Sequence, residues 1–219
     1  LATVVFNSQR YRTRWKHWQD TETMCARSGA LLYTLEIAFG ARDFAITDPT
    51  NPRHFRARTW DQFWFKENGI NWLVARMPQE AQWIGYIDAD SQPVRHDWAN
   101  ETIHKLQEYA AVQMWSQYHC LDSRFNLSSS SHSFMNSYKQ GWPTVPPKGA
   151  SGYPYEYPTP GKPKWPGPPG LAWAWRKDAW TAVGGLLDIC ILGSADWYMA
   201  NGLIDRLDNH VVSPKFHKD

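Results

Sequence analysis

Two carboxylates, Asp88 and Asp90, follow directly on the apolar run 83–87, Trp-Ile-Gly-Tyr-Ile. In an extended segment residues i and i+2 point the same way, so both side chains can address one hard cation or a water bound to it. Two carboxylates are too few to cage Mg2+ or Mn2+, which implies a polyphosphate that completes the oxygen shell. A metal-bound diphosphate is a leaving group, stabilised as charge develops on it. The competing account is a pair that caps or solvates a loop, the commoner fate of an isolated Asp-x-Asp. What lifts this pair above that account is its position after a buried strand, because open α/β sheets bind ligands outside the carboxyl ends of their strands.

Lys66 also needs a reason. The stretch Thr59-Trp60-Asp61-Gln62 has capping-box spacing and predicts a helix running to Met77. The apolar stripe of that helix is Phe63, Ile70, Leu73, Val74 and Met77. Lys66 falls on the same stripe, within about 40° of Ile70 and about 20° of Leu73. It either snorkels from the first turn or aims a cation into a cleft at the sheet edge, and the residues alone weigh these evenly.

The elements that must position these groups alternate along the chain. Residues 3–7 read as a first strand, opening into a loop and helix that carry Arg10, Arg12, Arg14 and Lys16. Residues 30–39 read as a second strand, and the Pro49 and Pro52 passage at 47–52 as loop. Strand 83–88 lacks clean alternation and is expected to be buried on both faces. Asp97 can cap a helix from 98 to 109, and residues 110–120 read as a further strand. After a long irregular stretch, 171–175 reads as strand, Asp178 opens a helix, Gly184 and Gly185 make a turn, and 196–204 reads as helix. The order predicts an α/β layered fold with a mostly parallel central sheet flanked by helices.

Between 123 and 170 the composition shifts to serine, proline, glycine and aromatics, and no regular core element is expected. Trp142, Tyr153, Tyr155, Tyr157 and Trp165 interleave with Lys139, Lys148, Lys162 and Lys164, which favours a lid or acceptor platform over a bare linker.

The bulk properties bound the alternatives. A chain of 219 residues buries a full core, and its formal charge of +2 gives no global field for tight nonspecific binding to nucleic acid or membrane. Cys25, Cys120 and Cys190 are odd in number and widely spaced, as expected of buried, reduced thiols in a cytoplasmic setting rather than a zinc site or disulfide framework. No apolar run approaches the roughly 20 residues of a membrane span, and no signal-like region is read at the start. Fourteen tryptophans raise the weight of flat ligands such as sugars or bases, against the plainer reading of a tryptophan-rich core.

Longer runs around these residues are more specific than the aspartate pair. Trp64-Phe65-Lys66-Glu67-Asn68-Gly69-Ile70-Asn71, then Met77-Pro78, then the strand ending in Asp88-Ala89-Asp90, resemble a nucleotide-sugar-dependent glycosyltransferase family of the GT-A fold, which carries Trp-x-Lys-Glu-x-x-x-Asn and Asp-Ala-Asp. Residues 170–176, Gly184-Gly185-Leu186-Leu187-Asp188 and 191–196 are similar to that family's second signature, and 5–7 and 36–40 fit its first two strands. The match runs over about residues 3–204 with the long loop unaligned. Ser194-Ala195 stands where the family usually has glycines.

The resemblance implies one GT-A-like domain over 1–219, with 1–122 as the nucleotide-sugar half, 123–170 as lid or acceptor loop and 171–219 as the acceptor-side half. Asp88 and Asp90 would hold Mn2+ or Mg2+ on the diphosphate of a nucleotide sugar, a UDP-sugar first among the donors, and Ala89 would contact the same donor. Asn7 and Glu36, at the ends of the first two strands, would line the nucleotide pocket, and Lys66 would face a phosphate or ribose. Glu67 and Asn71 would support the helix. Trp173, Trp175 and Arg176 would lie on the acceptor side, with Asp196 beside the acceptor hydroxyl as general base if the enzyme inverts. His210 or His217 competes as a further metal ligand with the reading of a surface tail histidine. The acceptor is expected to be a carbohydrate or a hydroxylated base in DNA, the latter read by the basic N-terminal cluster and the aromatic loop. A non-catalytic sugar- or nucleic-acid-binding module on the same fold is the alternative of a different class.

Overall fold

Thr3, Val4 and Val5 put β-branched bulk on both faces of the opening segment, and β1 (Ala2–Phe6) forms there. A computed structural model describes residues 1–144 and 167–207. Helix α1 (Arg12–Arg27) follows and buries Trp18, Thr21 and Cys25, residues spaced to fall on one face. It stops at Gly29, whose φ of 75° lets the chain reverse into β2 (Tyr33–Phe39). The chain continues through β3 (His54–Thr59), α2 (Lys66–Val74), β4 (Trp83–Ile87), α3 (Trp98–Leu106), β5 (Ala111–Gln113), β6 (Gln117–Leu121), β7 (Leu127–His132), α4 (Phe134–Lys139), β8 (Ala172–Arg176), α5 (Lys177–Val183) and α6 (Ala195–Leu203).

Six strands form one sheet in the order β3-β2-β1-β4-β8-β5. β1, β2, β3 and β4 run parallel, with Ala2 opposite Tyr33 on one side and Tyr86 on the other. β8 lies antiparallel to both β4 and β5, Trp83 facing Arg176 and Ile87 facing Ala172. The expected mixed α/β layout with a mostly parallel sheet is therefore present. Two compact units divide the chain: residues 1–114 with 171–195 hold this sheet, and residues 115–170 with 196–219 hold the β6–β7 hairpin, α4 and α6. No described helix is long and apolar enough to cross a membrane.

Several expected elements differ. Residues 54–59 form an unforeseen strand, because the alternation of Arg56 and Arg58 with Phe55 and Ala57 belongs to a half-exposed edge strand. Thr59 is the last rung of its ladder with Phe39, and its Oγ1 accepts from the Asp61 N–H (3.1 Å). That closes a turn rather than capping a helix, and α2 starts seven residues later at Lys66. The expected strand 110–120 breaks at Met114, whose N–H donates to Ala172 O (3.1 Å), so β5 and β6 belong to different sheets.

The serine run does not make a loop either. Ser128–131 lies within β7, opposite β6, and Ser130 and Ser131 are buried. The Asp122 carboxylate accepts from the Arg124 and Asn126 N–H groups (2.8 and 2.9 Å) and sets the hairpin turn. Ser133 then caps α4 by accepting from the Asn136 N–H (3.1 Å). Trp142 is buried, its ring 5.0 Å from His132, and so packs as core rather than as a platform. Lys148, Tyr153, Tyr155, Tyr157, Lys162, Lys164 and Trp165 lie outside the described residues.

β4 and β8 approach closely because Gly85 faces Ala174; a Cβ at Gly85 would collide with the Trp173 carbonyl oxygen and come within 3.0 Å of Ala174 Cα. We expect Gly85→Ala to destabilise the fold by about 3 kcal/mol, read from urea unfolding; a midpoint equal to wild type contradicts this packing. Cys25 is fully buried whereas Cys120 and Cys190 are half-buried, and burial pushes the Cys25 thiol up to about 11. At pH 8 roughly one Cys25 thiol in a thousand is then ionised, so mass spectrometry after iodoacetamide treatment should find Cys25 modified last, its rate rising with pH.

Candidate functional site

The carboxyl end of β4 is fixed from two sides. The Asp88 N–H donates to Leu171 O (2.7 Å) and so continues the β4–β8 ladder by one rung. The Ser91 N–H donates to Asp88 O (3.0 Å), so residues 88–91 turn, and the extended geometry expected for Asp88 and Asp90 is replaced by a tight turn. Thr21 on α1, fully buried, donates from Oγ1 to Ala89 O (3.0 Å) and ties that turn to the helix. The Asp88-Ala89-Asp90 triplet thus sits on a turn in which the Asp88 and Ala89 carbonyls are already in use.

Lys66 meets Asp88 here. Its Nζ lies 2.5 Å from Asp88 Oδ1, with the two side chains 12% and 25% exposed. The same ammonium stands 5.1 Å from the Tyr86 ring centroid, within cation–π reach. A lysine in the first turn of a helix has the wrong sign for the helix dipole, and a carboxylate at contact distance offsets that penalty. The inward aim read from the sequence is correct. A cleft of about 140 Å³ opens beside the pair, lined by Val4, Phe6, Arg14, Trp64, Ala89 and Asp90 among others.

Val5 also lines a second and larger cleft, of about 450 Å³, on the β2 side of β1. Asn7 and Glu36 are both in its wall. Asn7 closes the turn into α1: its Oδ1 accepts from the Tyr11 N–H (3.0 Å) and its Nδ2 donates to Tyr11 O (2.8 Å). Glu36 lies in the middle of β2 rather than at its end. Its carboxylate accepts from the N–H groups of Ala45 (2.5 Å), Ile46 (3.2 Å) and Thr47 (2.9 Å) and from Thr47 Oγ1 (2.6 Å). Glu36 therefore builds the loop that walls the cleft. Sequence reading missed Arg42, Phe44, Arg56 and Arg58: the two strand arginines lie 4.9 and 5.0 Å from the Phe44 ring centroid, and Arg58 donates to Arg42 O (2.7 Å). The Arg-x-Arg alternation at 56–58 was the available signal.

The Asn71 amide ties the two sequence signatures together at several points. Asn71 Oδ1 accepts from the Leu186 N–H (2.8 Å), and its Nδ2 donates to Leu186 O (2.9 Å) and to Asp188 Oδ2 (3.1 Å). A Cβ on Gly185, where φ is 90°, would meet Asn71 Oδ1 at 2.8 Å. The Trp64 N–H donates to Ile191 O (2.8 Å) and holds the following loop against the same helix start.

Trp173, Trp175 and Arg176 require correction. Both indoles are buried in β8 and stacked on each other with centroids 5.8 Å apart, and Trp175 also packs on Tyr86 and Trp180. They are core. Arg176 pairs with Asp178 (3.1 Å) beside Trp83, so antiparallel β8 delivers it to the end of the sheet opposite Asp88. Asp196 belongs to the second unit, in the first turn of α6, where its Oδ1 accepts from the Trp197 N–H (3.0 Å) and its Oδ2 crowds Gly170. Ser194, in a place where the resemblance leads one to expect glycine, has φ of 71° and so keeps a glycine-like backbone.

Lys66, Asp88, Ala89 and Asp90 are thus brought together on one cleft, and Asn7 with Glu36 on the other. Among the described residues no group of three or more His, Cys, Asp or Glu side chains gathers to hold a metal ion. Asp88 and Asp90 supply carboxylate oxygens on one turn, with Asp88 Oδ1 engaged by Lys66, so this donor set fits a divalent cation only when a ligand brings further oxygens. His210 and His217 lie outside the described residues. Fold and clefts together define an open α/β protein with paired cavities at the carboxyl ends of β1, β2 and β4. Compared with family models, curated proteins and solved structures, the chain gives no match.

Replacing Glu36 by Gln turns one acceptor toward N–H donors while keeping the shape. Glu36→Gln should lower unfolding stability by about 2–4 kcal/mol in urea titration and admit protease to the 41–47 loop; an unchanged midpoint would remove its anchoring role.

Proposed function

We propose that the chain is a metal-assisted glycosyltransferase that moves a sugar from a nucleotide diphosphate sugar, a UDP-sugar first among candidates, to an acceptor hydroxyl. The observation that carries the reading is the Lys66 ammonium against the Asp88-Ala89-Asp90 turn at the mouth of a cleft that shares Val5 with a larger cavity. In this reading the nucleoside occupies the larger cavity beside Asn7 and the Phe44 loop, and the diphosphate reaches the smaller one. Asp88 and Asp90 would hold Mn2+ or Mg2+, which supplies Lewis-acid stabilisation of the departing diphosphate. Lys66 and Arg14 add positive charge where phosphate charge grows.

The bond between the anomeric carbon and the diphosphate oxygen breaks, and its electron pair leaves on that oxygen. The acceptor oxygen bonds to the anomeric carbon and gives up its proton to a base, a role this reading assigns to Asp196. A cytoplasmic setting belongs to the same proposal. For the acceptor, a carbohydrate is the first choice. A hydroxylated base in DNA is the second, favoured by the exposed Arg10, Arg12 and Arg14 at the start of α1.

The test scores donor hydrolysis and transfer for a panel of nucleotide sugars with Mn2+ or Mg2+. Asp88→Asn and Asp90→Asn should each lower turnover on the order of 100-fold, Asp90→Asn melting as wild type does and Asp88→Asn melting lower because Lys66 loses its partner. Full activity in both variants sinks the metal role. Nucleotide binding without turnover of any donor would instead favour a binding module, and transfer to modified duplex DNA that falls steeply with salt would select the second acceptor.

A further inference from the structure

We propose that Lys66 is a tethered counter-ion that yields Asp88 to a divalent cation only when a diphosphate takes up its ammonium, so that metal and diphosphate bind as a coupled pair. The proposal rests on the reading of this cleft as the diphosphate site and adds to it the order in which charges assemble.

The cleft is lined by charges of both signs. Lys66 and Arg14 face Asp88 and Asp90, so the lining carries two positive and two negative groups. The positive members are held differently: Arg14 Nη1 lies 3.5 Å from Phe6 O, whereas Lys66 Nζ contacts Asp88 at 2.5 Å. A divalent cation arriving alone must share Asp88 with an ammonium already in contact, and it leaves the cleft with excess positive charge. Both effects oppose binding. A metal–diphosphate complex carries its own compensating charge and leaves the balance intact.

The geometry gives the ammonium somewhere to go. Lys66 is the first residue of α2, on a flexible stem beside an open cleft. A phosphate oxygen placed there meets both the ammonium and the helix N-terminus, where anions are favoured. The Tyr86 ring beneath Nζ offers a cation-compatible surface during the exchange. By linkage, diphosphate must tighten metal binding by the same factor as metal tightens diphosphate binding.

Calorimetry and the paramagnetic resonance signal of unbound Mn2+ read this on the whole chain, with pyrophosphate as a nucleoside-free probe and UDP in parallel. Wild type should bind Mn2+ weakly alone and about tenfold more tightly with pyrophosphate. Lys66→Met should bind Mn2+ alone about tenfold more tightly than wild type and lose most of the coupling. Lys66→Arg keeps the charge and should stay close to wild type, and Asp88→Asn should lose Mn2+ in every condition. Unchanged Mn2+ affinity in Lys66→Met, or wild type in which pyrophosphate and Mn2+ bind independently, overturns the proposal; the second arm needs no variant to fold. Coupling with pyrophosphate but no gain from UDP over it keeps the exchange and removes the nucleotide reading. Cooperative UDP and Mn2+ binding with no effect of Lys66→Met does the reverse.

Discussion

Placing an ammonium and a carboxylate 2.5 Å apart, largely out of water, is the demand around which the sheet unit is arranged. Opposite charges removed from solvent are tolerated only when held at contact by rigid supports, since a small separation forfeits attraction while the desolvation cost remains. Each partner has its own support. Asp88 is fixed by the rung to Leu171 and by the turn that closes on its carbonyl, and Thr21 clamps the next residue from α1. Lys66 is fixed by the position of α2, which packs Gly69 so tightly that a Cβ there would come within 2.8 Å of a Val4 methyl. The lack of side chains at Gly69 and Gly85 therefore sets the approach of α2 to β1 and of β4 to β8, and through them the distance between the two charges.

A second regularity concerns how the loops around the clefts are made. Strand ladders end at the sheet edge, and beyond it buried polar side chains take over the pairing of backbone groups. Glu36 satisfies three consecutive N–H groups, Asn71 satisfies both backbone groups of Leu186, and Thr21 caps the carbonyl of Ala89. A side chain in this role is chemically occupied. The distinction matters at Glu36: the resemblance implied a place in a nucleotide pocket, yet its oxygens already serve the 45–47 loop.

The same distinction explains what could be read in the chain. β1, β2, β4 and β8 follow from apolar patterning, α1 and α3 were legible from their flanking segments although Asp97 makes no side-chain cap bond, and the inward lysine at 66 was visible from helical spacing. β3 was hidden because its arginines answer to Phe44 and to the carbonyls of residues 40, 42 and 47, partners that no local pattern reveals. The serine-rich β7 was hidden for a related reason, since its burial depends on pairing with β6. Thr59 shows the converse error: capping-box spacing was present, but the ladder with β2 had first claim on the residue.

Strand direction accounts for the remaining misplacement. Tryptophans and an arginine in the strand that opens the second signature suggest a binding wall only if that strand runs parallel to its neighbours. β8 runs the other way, so its carboxyl end, with Arg176, lies at the edge opposite Asp88 while its beginning lies beside Asp88. What the second signature contributes to the charged cleft is therefore backbone: the Leu171 carbonyl at the start of β8, with φ of 71°, and the Ile191 carbonyl on Trp64. This makes the glycine-rich spacing of 184–193 intelligible without any ligand. The turn must bend where Asn71 can grip it, and Gly184, Gly185 and Gly193 take the positive φ values that a side chain resists. The charged side chains that this edge presents to the smaller cleft include Asp90 and the ion pair of Lys66 with Asp88.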